Sequence, residues 1–240
     1  DINILLRNWG LNYAEDLIVG DKQLAEHIDF PDGMVKKFFP LFTLEKQNIF
    51  QQSPITQGLN NIFLQTPGAL ELIETEEVTT QPLLETSAQS VIVDAKISKF
   101  SSQEEVLNGT VAVDEPIIVA ALSSGTYQSA FQQSPFSGDI INENLPHISS
   151  SLMPSRIIVI TDVDWIHQLN WIVPSFINGN KIDEIVPSNN NFDFLLRSID
   201  YLTSNEKSIS IGPKTVANRD NTLEQVIEKI TSSQYSAKYQ

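Results

Sequence analysis

Cysteine is absent from the 240-residue chain, which removes thiol catalysis, Cys-ligated zinc, iron–sulfur clusters and disulfides together. Histidine is scarce: His27, His147 and His167 stand far apart, with no metal-ligand spacing. The ten glycines form neither G-x-x-x-x-G-K-[ST] nor G-x-G-x-x-G, so the sequence offers no glycine-rich cradle for a phosphate. Positive charge is also in short supply. Fifteen Lys and Arg against thirty Asp and Glu leave a net charge of −15, which argues against nucleic acid, whose phosphates need clustered cations. It argues equally against an anionic lipid surface, and its simplest role is to keep the protein soluble. Long apolar runs are missing too. The longest, Ile117 to Leu122, falls far short of the roughly 20 residues of a membrane helix. Any membrane anchor is therefore expected outside this chain, which opens on Asp1 like a processed or excised segment.

What the chain does have is the stretch from Arg156 to Trp165, RIIVITDVDW. Its consecutive large apolar residues cannot alternate between a wet and a dry face, and they predict a central strand covered on both sides, as in parallel sheets. Pro116 to Leu122 predicts a second strand of the same kind. Further strands are expected near 17–19, 62–65 and 91–93, with an alternating edge strand at 208–211. Helices are expected at 2–9 and at 192–202, the latter amphipathic and preceded by Asn189, Asn190 and Asn191. Thr222 and Gln225 predict a capping box opening a last helix. Residues 22–50 read as mixed, with an aromatic cluster at 38–42, and residues 94–114 as polar loop. Residues 123–151 form a long excursion poor in hydrophobic periodicity. The fold class expected is α/β: a mostly parallel sheet flanked by helices, with a small added β-rich part.

Chemistry has few candidates. Ser123-Ser124-Gly125 follows a strand but lacks the G-x-S-x-G elbow. The acidic run Glu71, Glu74, Glu76, Glu77 has no calcium-loop pattern and reads as a solvated edge. Asp162 and Asp164 at a strand end are the strongest pair. They could hold Mg²⁺ or Ca²⁺, with Asn189 to Asn191 adding neutral oxygens. Alternatively, one of them ties down the loop by accepting backbone N–H bonds. Trp165 and Trp171 are the matching candidates for a ligand or interaction surface. No catalytic residue, resident metal or cofactor is assigned.

The order of short motifs is more specific than any one of them. LLRNWGL at 5–11 with DLIV at 16–19 is followed by PITQGL at 54–59, PGAL at 67–70 and PLLETS at 82–87. Then come Pro116 to Leu122, RIIVITDVDW, NFDFLL at 191–196, YLT at 201–203, and Ile209-Ser210-Ile211 with Lys214. This order resembles the extracytoplasmic part of ABC-type transport auxiliary proteins related to the gliding-motility component GldG.

The resemblance runs from about residue 2 to 214, leaving 215–240 as a short helix and linker toward an anchor. It implies a scaffold related to class I glutamine amidotransferase-like and flavodoxin-like domains, without the catalytic cysteine. It also implies tethering on the periplasmic side of the cytoplasmic membrane beside an ABC transporter permease and ATPase. Thr161 stands where a glycine is often found in the family. The α/β segment that precedes these motifs in the family is missing here, and a sheet truncated in this way would expose an edge open to homodimerisation. The function expected is a non-catalytic auxiliary domain acting by protein–protein contact. Two other readings stay open: a solute-binding module of the transporter, and a metal-dependent hydrolase using Asp162 and Asp164.

Overall fold

The computed structural model describes residues 2–131, 133, 147–177 and 180–203. The expected strand at 208–211, Lys214, the helix opened by Thr222 and the linker lie outside the described residues, as do 134–146 of the long excursion.

The chain begins with helix α1 (Ile2–Arg7) and strands β1 (Leu11–Tyr13), β2 (Leu17–Asp21) and β3 (Ala25–Asp29). The long β4 (Val35–Glu45), β5 (Asn61–Gln65), β6 (Leu70–Leu72), β7 (Val78–Glu85) and β8 (Ser90–Asp94) follow. After them come helices α2 (Ala95–Phe100) and α3 (Gln103–Asn108), then β9 (Val111–Ala112), β10 (Ile118–Gly125) and β11 (Ser155–Ile160). The hairpin β12 (Ile172–Ile177) and β13 (Asn180–Pro187) leads into α4 (Asn191–Thr203).

The α/β expectation is overturned: every pairing among the described strands is antiparallel. The main sheet runs β1-β6-β10-β11, with β7 also on β10. Two three-stranded sheets, β2-β8-β9 and β3-β4-β5, and the β12-β13 ribbon complete the strands. A parallel sheet needs long crossovers, usually helical. Most strands that follow one another along the chain are joined here by links too short for a crossover helix.

RIIVI does form a strand, but it lies at the end of the described sheet rather than in its middle, and none of its residues is fully buried. Its unbroken apolar run has another cause. Ile158 and Ile160 pack on the larger core, while Val159 packs on a smaller core across the sheet. Two covered faces are what the run encodes, and strand direction does not follow from that. The strand at the centre is β10, which pairs β11 on one edge and β7 and β6 on the other.

The larger core joins Phe42 and Leu44 of β4 to Ile62 and Leu64 of β5, Leu83 and Leu84 of β7, and Val119 and Leu122 of β10. Alternate residues Pro40, Phe42 and Leu44 are buried, so of the aromatic cluster Phe42 is core packing while Phe38 and Phe39 stay half-buried, on a strand the composition obscured. Helix α4 closes this core with Phe194, fully buried and 5.3 Å from the Trp165 ring. The smaller core lies under α1, where Leu6 meets Leu11, Leu70 and Ala121. Residues 94–114, read as loop, hold α2 and α3. Asp94 caps the first, and a full Ser102–Glu105 capping box opens the second. Gly125 closes β10 with φ +154°, and a Cβ there would collide with the Glu77 carbonyl, so only glycine fits.

Candidate functional site

Strand β11 ends at Ile160, and the next two residues bind the chain to a corner made by residues 65–68. Thr161 N–H donates to the Val119 carbonyl, and its Oγ1 lies 2.8 Å from the Gly68 carbonyl and 2.9 Å from that of Val119. Gly68 N–H donates back to the Thr161 carbonyl. The corner itself is unusual: Thr66 has φ +56°, a strained setting for a β-branched residue.

Asp162 lies behind that corner with 4% of its surface exposed. Its Oδ2 accepts from Gln65 N–H at 2.6 Å, and its Oδ1 accepts from Asp164 N–H at 2.7 Å. Burial raises its pKa from 3.8 to about 6, a rise that these amide bonds oppose and the nearby Asp164 charge adds to. Of the two readings open in the sequence, the loop-tying one matches this geometry. Both oxygens hold backbone amides as the chain turns into a 3-10 helix at Asp164–Ile166. Asp164 is half-buried beside it. Among the described residues, no group of three His, Asp or Glu could hold a metal ion.

The asparagines complete the same latch. Asn191 is buried; its Oδ1 accepts from Phe63 N–H at 2.9 Å, and its Nδ2 donates to the Phe63 carbonyl at 2.8 Å and the Trp165 carbonyl at 2.7 Å. Asn190 Oδ1 accepts from the amides of Asn60 and Asn61. Asn189 Nδ2 donates to the Asn170 carbonyl, and its Oδ1 accepts from Asn191 N–H. Instead of supplying metal oxygens, the three tie the start of α4 to β5 and to the loop after β11. Gln65 was not singled out in the sequence. The Asn triplet was the visible signal, but it gives no indication of which backbone groups it meets.

The two tryptophans are not brought together. Trp165 is buried on Phe194, whereas Trp171 stacks on Phe192, rings 4.7 Å apart and 10° from parallel. Only Trp165 lines the groove beside Asp162. This groove, of about 520 Å³, has walls from Ile2, Leu6, Val159, Ile160, Val163 and Ile166.

Ser123 lies inside β10 rather than after it. Its Oγ donates to the Trp9 carbonyl and accepts from the Tyr127 hydroxyl. His147 bonds the Phe131 carbonyl, and His27 lies on β3 opposite Lys37. The acidic residues at 71, 74, 76 and 77 are exposed, as a solvated edge should be. No helix among the described residues is long and apolar enough to cross a membrane.

Comparison with known proteins gives one match. No curated protein and no solved structure matches the chain. The profile of a protein family described as ABC-type uncharacterized transport system matches residues 1–198. That span covers most of the chain, including the whole 156–165 segment and the Asn latch, and the chain belongs to this family of ABC-type transport auxiliary components.

Proposed function

We propose that this domain serves its ABC-type transport system without catalysis, through contacts with other proteins on the extracytoplasmic side of the membrane. The observation that carries the reading is the state of Asp162. The most strongly perturbed acid of the candidate site has both oxygens engaged by backbone amides, so it holds the fold together rather than facing a substrate. The partners expected are the permease and ATPase, with 1–214 as the auxiliary domain and 215–240 leading toward an anchor. The motif order supports kinship with the gliding-motility GldG-like branch.

The rival readings lose their supports. A hydrolase would need Asp162 open to a substrate or an ion. A solute-binding module would need Trp165 and Trp171 in one pocket, and they lie on separate packing partners.

Deleting the domain from the full-length protein should abolish the transport-linked phenotype. Turnover of a substrate by the purified protein would overturn the reading. So would saturable Ca²⁺, Mg²⁺ or Mn²⁺ binding in calorimetry that disappears in Asp162→Ala.

A further inference from the structure

The sheet β3-β4-β5 uses its two faces differently. Phe42 and Leu44 of β4, with Ile62 and Leu64 of β5, belong to the larger core, so strand alternation sends Thr43, Asn61 and Phe63 to the other face. Thr43 and Phe63 are direct partners across the two strands. Glu26 of β3 joins them at an irregularity, where the register shifts from Ala25 opposite Phe42 to Glu26 opposite Phe38. Such irregularities re-aim a side chain, and here the Thr43 hydroxyl donates to Glu26 Oε1.

This polar floor is walled. Leu169 and Asn170, with Ser188 and Asn189, close it into a recess of about 360 Å³. The walls are tied together before any ligand arrives. Asn189 Nδ2 donates to the Asn170 carbonyl, Asn170 Nδ2 to the Asp164 carbonyl, and Ser188 N–H to the Trp171 carbonyl. Floor and rim nevertheless keep hydrogen-bonding capacity. Among the described residues, Glu26 Oε2 and the Asn61 side-chain amide have no hydrogen-bond partner, and Ser188 Oγ meets only the Asn189 amide, at 3.5 Å.

These groups select the ligand. Glu26 is the one charged residue of the lining, so a phosphate or carboxylate finds no counter-charge there. A purely apolar ligand would leave the carboxylate and the amide buried without partners. An ammonium only donates, and would leave the Asn61 N–H groups without an acceptor. A sugar ring satisfies all three conditions: it is uncharged, its hydroxyls both donate and accept, and its C–H face packs on the Phe63 ring. Glycoside cleavage uses a pair of carboxylates, and the lining has one, so the match is to binding without turnover.

We propose that this recess binds a neutral saccharide, one ring lying on Phe63 with its hydroxyls bonded to Glu26, Asn61 and Ser188. Its volume is at the small end for ligand sites, which suits a monosaccharide or the terminal ring of a longer chain. This role goes beyond the protein-contact reading above and does not rest on it.

The test is saturation-transfer NMR on the purified full chain, titrated with the methyl glycosides of glucose, galactose, mannose and N-acetylglucosamine. At least one should bind saturably, and the 6-phosphate of that sugar should bind more weakly. Glu26→Gln, which keeps an acceptor for Thr43, and Asn61→Ala should each weaken binding about tenfold. Glu76→Gln, on the exposed acidic edge, should bind like the parent, and thermal melts check that every variant is folded. Absence of saturable binding to all the glycosides would overturn the proposal. So would binding untouched by both Glu26→Gln and Asn61→Ala, or tighter binding of the 6-phosphate. Saturable binding of methylammonium in place of the neutral sugars would assign the recess to amines and overturn it as well.

Discussion

Gln65 and Asp162 are 97 positions apart in sequence, yet the amide of the first lies 2.6 Å from the carboxylate of the second. This bond fixes the corner after β5 to the end of β11, and the other carboxylate oxygen holds the turn at Asp164. Asp162→Ala leaves buried amides without acceptors, which costs about 2–4 kcal/mol. Urea denaturation should show a lower midpoint with an unchanged slope, and a midpoint equal to the parent's would remove the latch from the account.

The same residue makes stability depend on pH. Its folded pKa of about 6 lies above the ordinary 3.8, so between these values the folded state binds more protons than the unfolded state. The contribution is therefore complete below the unfolded pKa and declines as pH rises through about 6, by about 2–3 kcal/mol in total. Glu85 is shifted upward by burial and acts in the same direction. Asp162→Asn should flatten the decline in unfolding free energy between about pH 4 and pH 7. A slope identical to the parent's would show that Asp162 ionises normally.

Asn191 allows a contrast between two substitutions. Asn191→Ala loses three side-chain hydrogen bonds at a buried position, a cost of about 2–4 kcal/mol. Asn191→Asp keeps an acceptor for Phe63 N–H but turns a carboxylate toward the Phe63 and Trp165 carbonyls, so it should be worse than alanine. Thermal melts at neutral pH should rank the parent first, alanine second and aspartate last. If aspartate melted above alanine, the amide would not be donating as assigned.

Gly125→Ala tests the backbone rather than a side chain. Its φ of +154° and the nearby Glu77 carbonyl leave no room for a methyl group, and the cost should exceed about 2 kcal/mol. Gly33→Ala, at φ +77° but with nothing near the added atom, should cost about 1 kcal/mol. Chemical denaturation of both variants measures the difference, and equal costs would contradict the collision.

Much of the local structure was legible in the sequence. Strands 17–19, 62–65, 91–93 and 117–122 lie within or against β2, β5, β8 and β10, and the amphipathic pattern at 192–202 is α4. Strand direction was not legible, because a run such as RIIVI records two covered faces and nothing about its neighbours. Strand β4 was hidden by Pro40, a residue that counts against a strand interior, although Pro40, Phe42 and Leu44 alternate as buried positions. Helices α2 and α3 were passed over as polar loop, yet Ser102 and Glu105 carry the spacing of a capping box. Asp162 and the Asn triplet were found as residue types, and the loop-tying reading of the acid was among those weighed. The distant amides they meet come from residues 60–65, a separation in sequence that no local pattern encodes.

The placement of β10 has a consequence for how the chain reaches its native state. Its partners come from residues 70–85 on one side and 155–160 on the other, so the main sheet waits for pairings between distant parts of the polypeptide. Such topologies fold slowly, because ordering entropy is lost before the reward arrives. During synthesis, the sheet stays incomplete until β11 has cleared the ribosome, and until then one edge of β10 keeps its backbone N–H and C=O groups without their final partners.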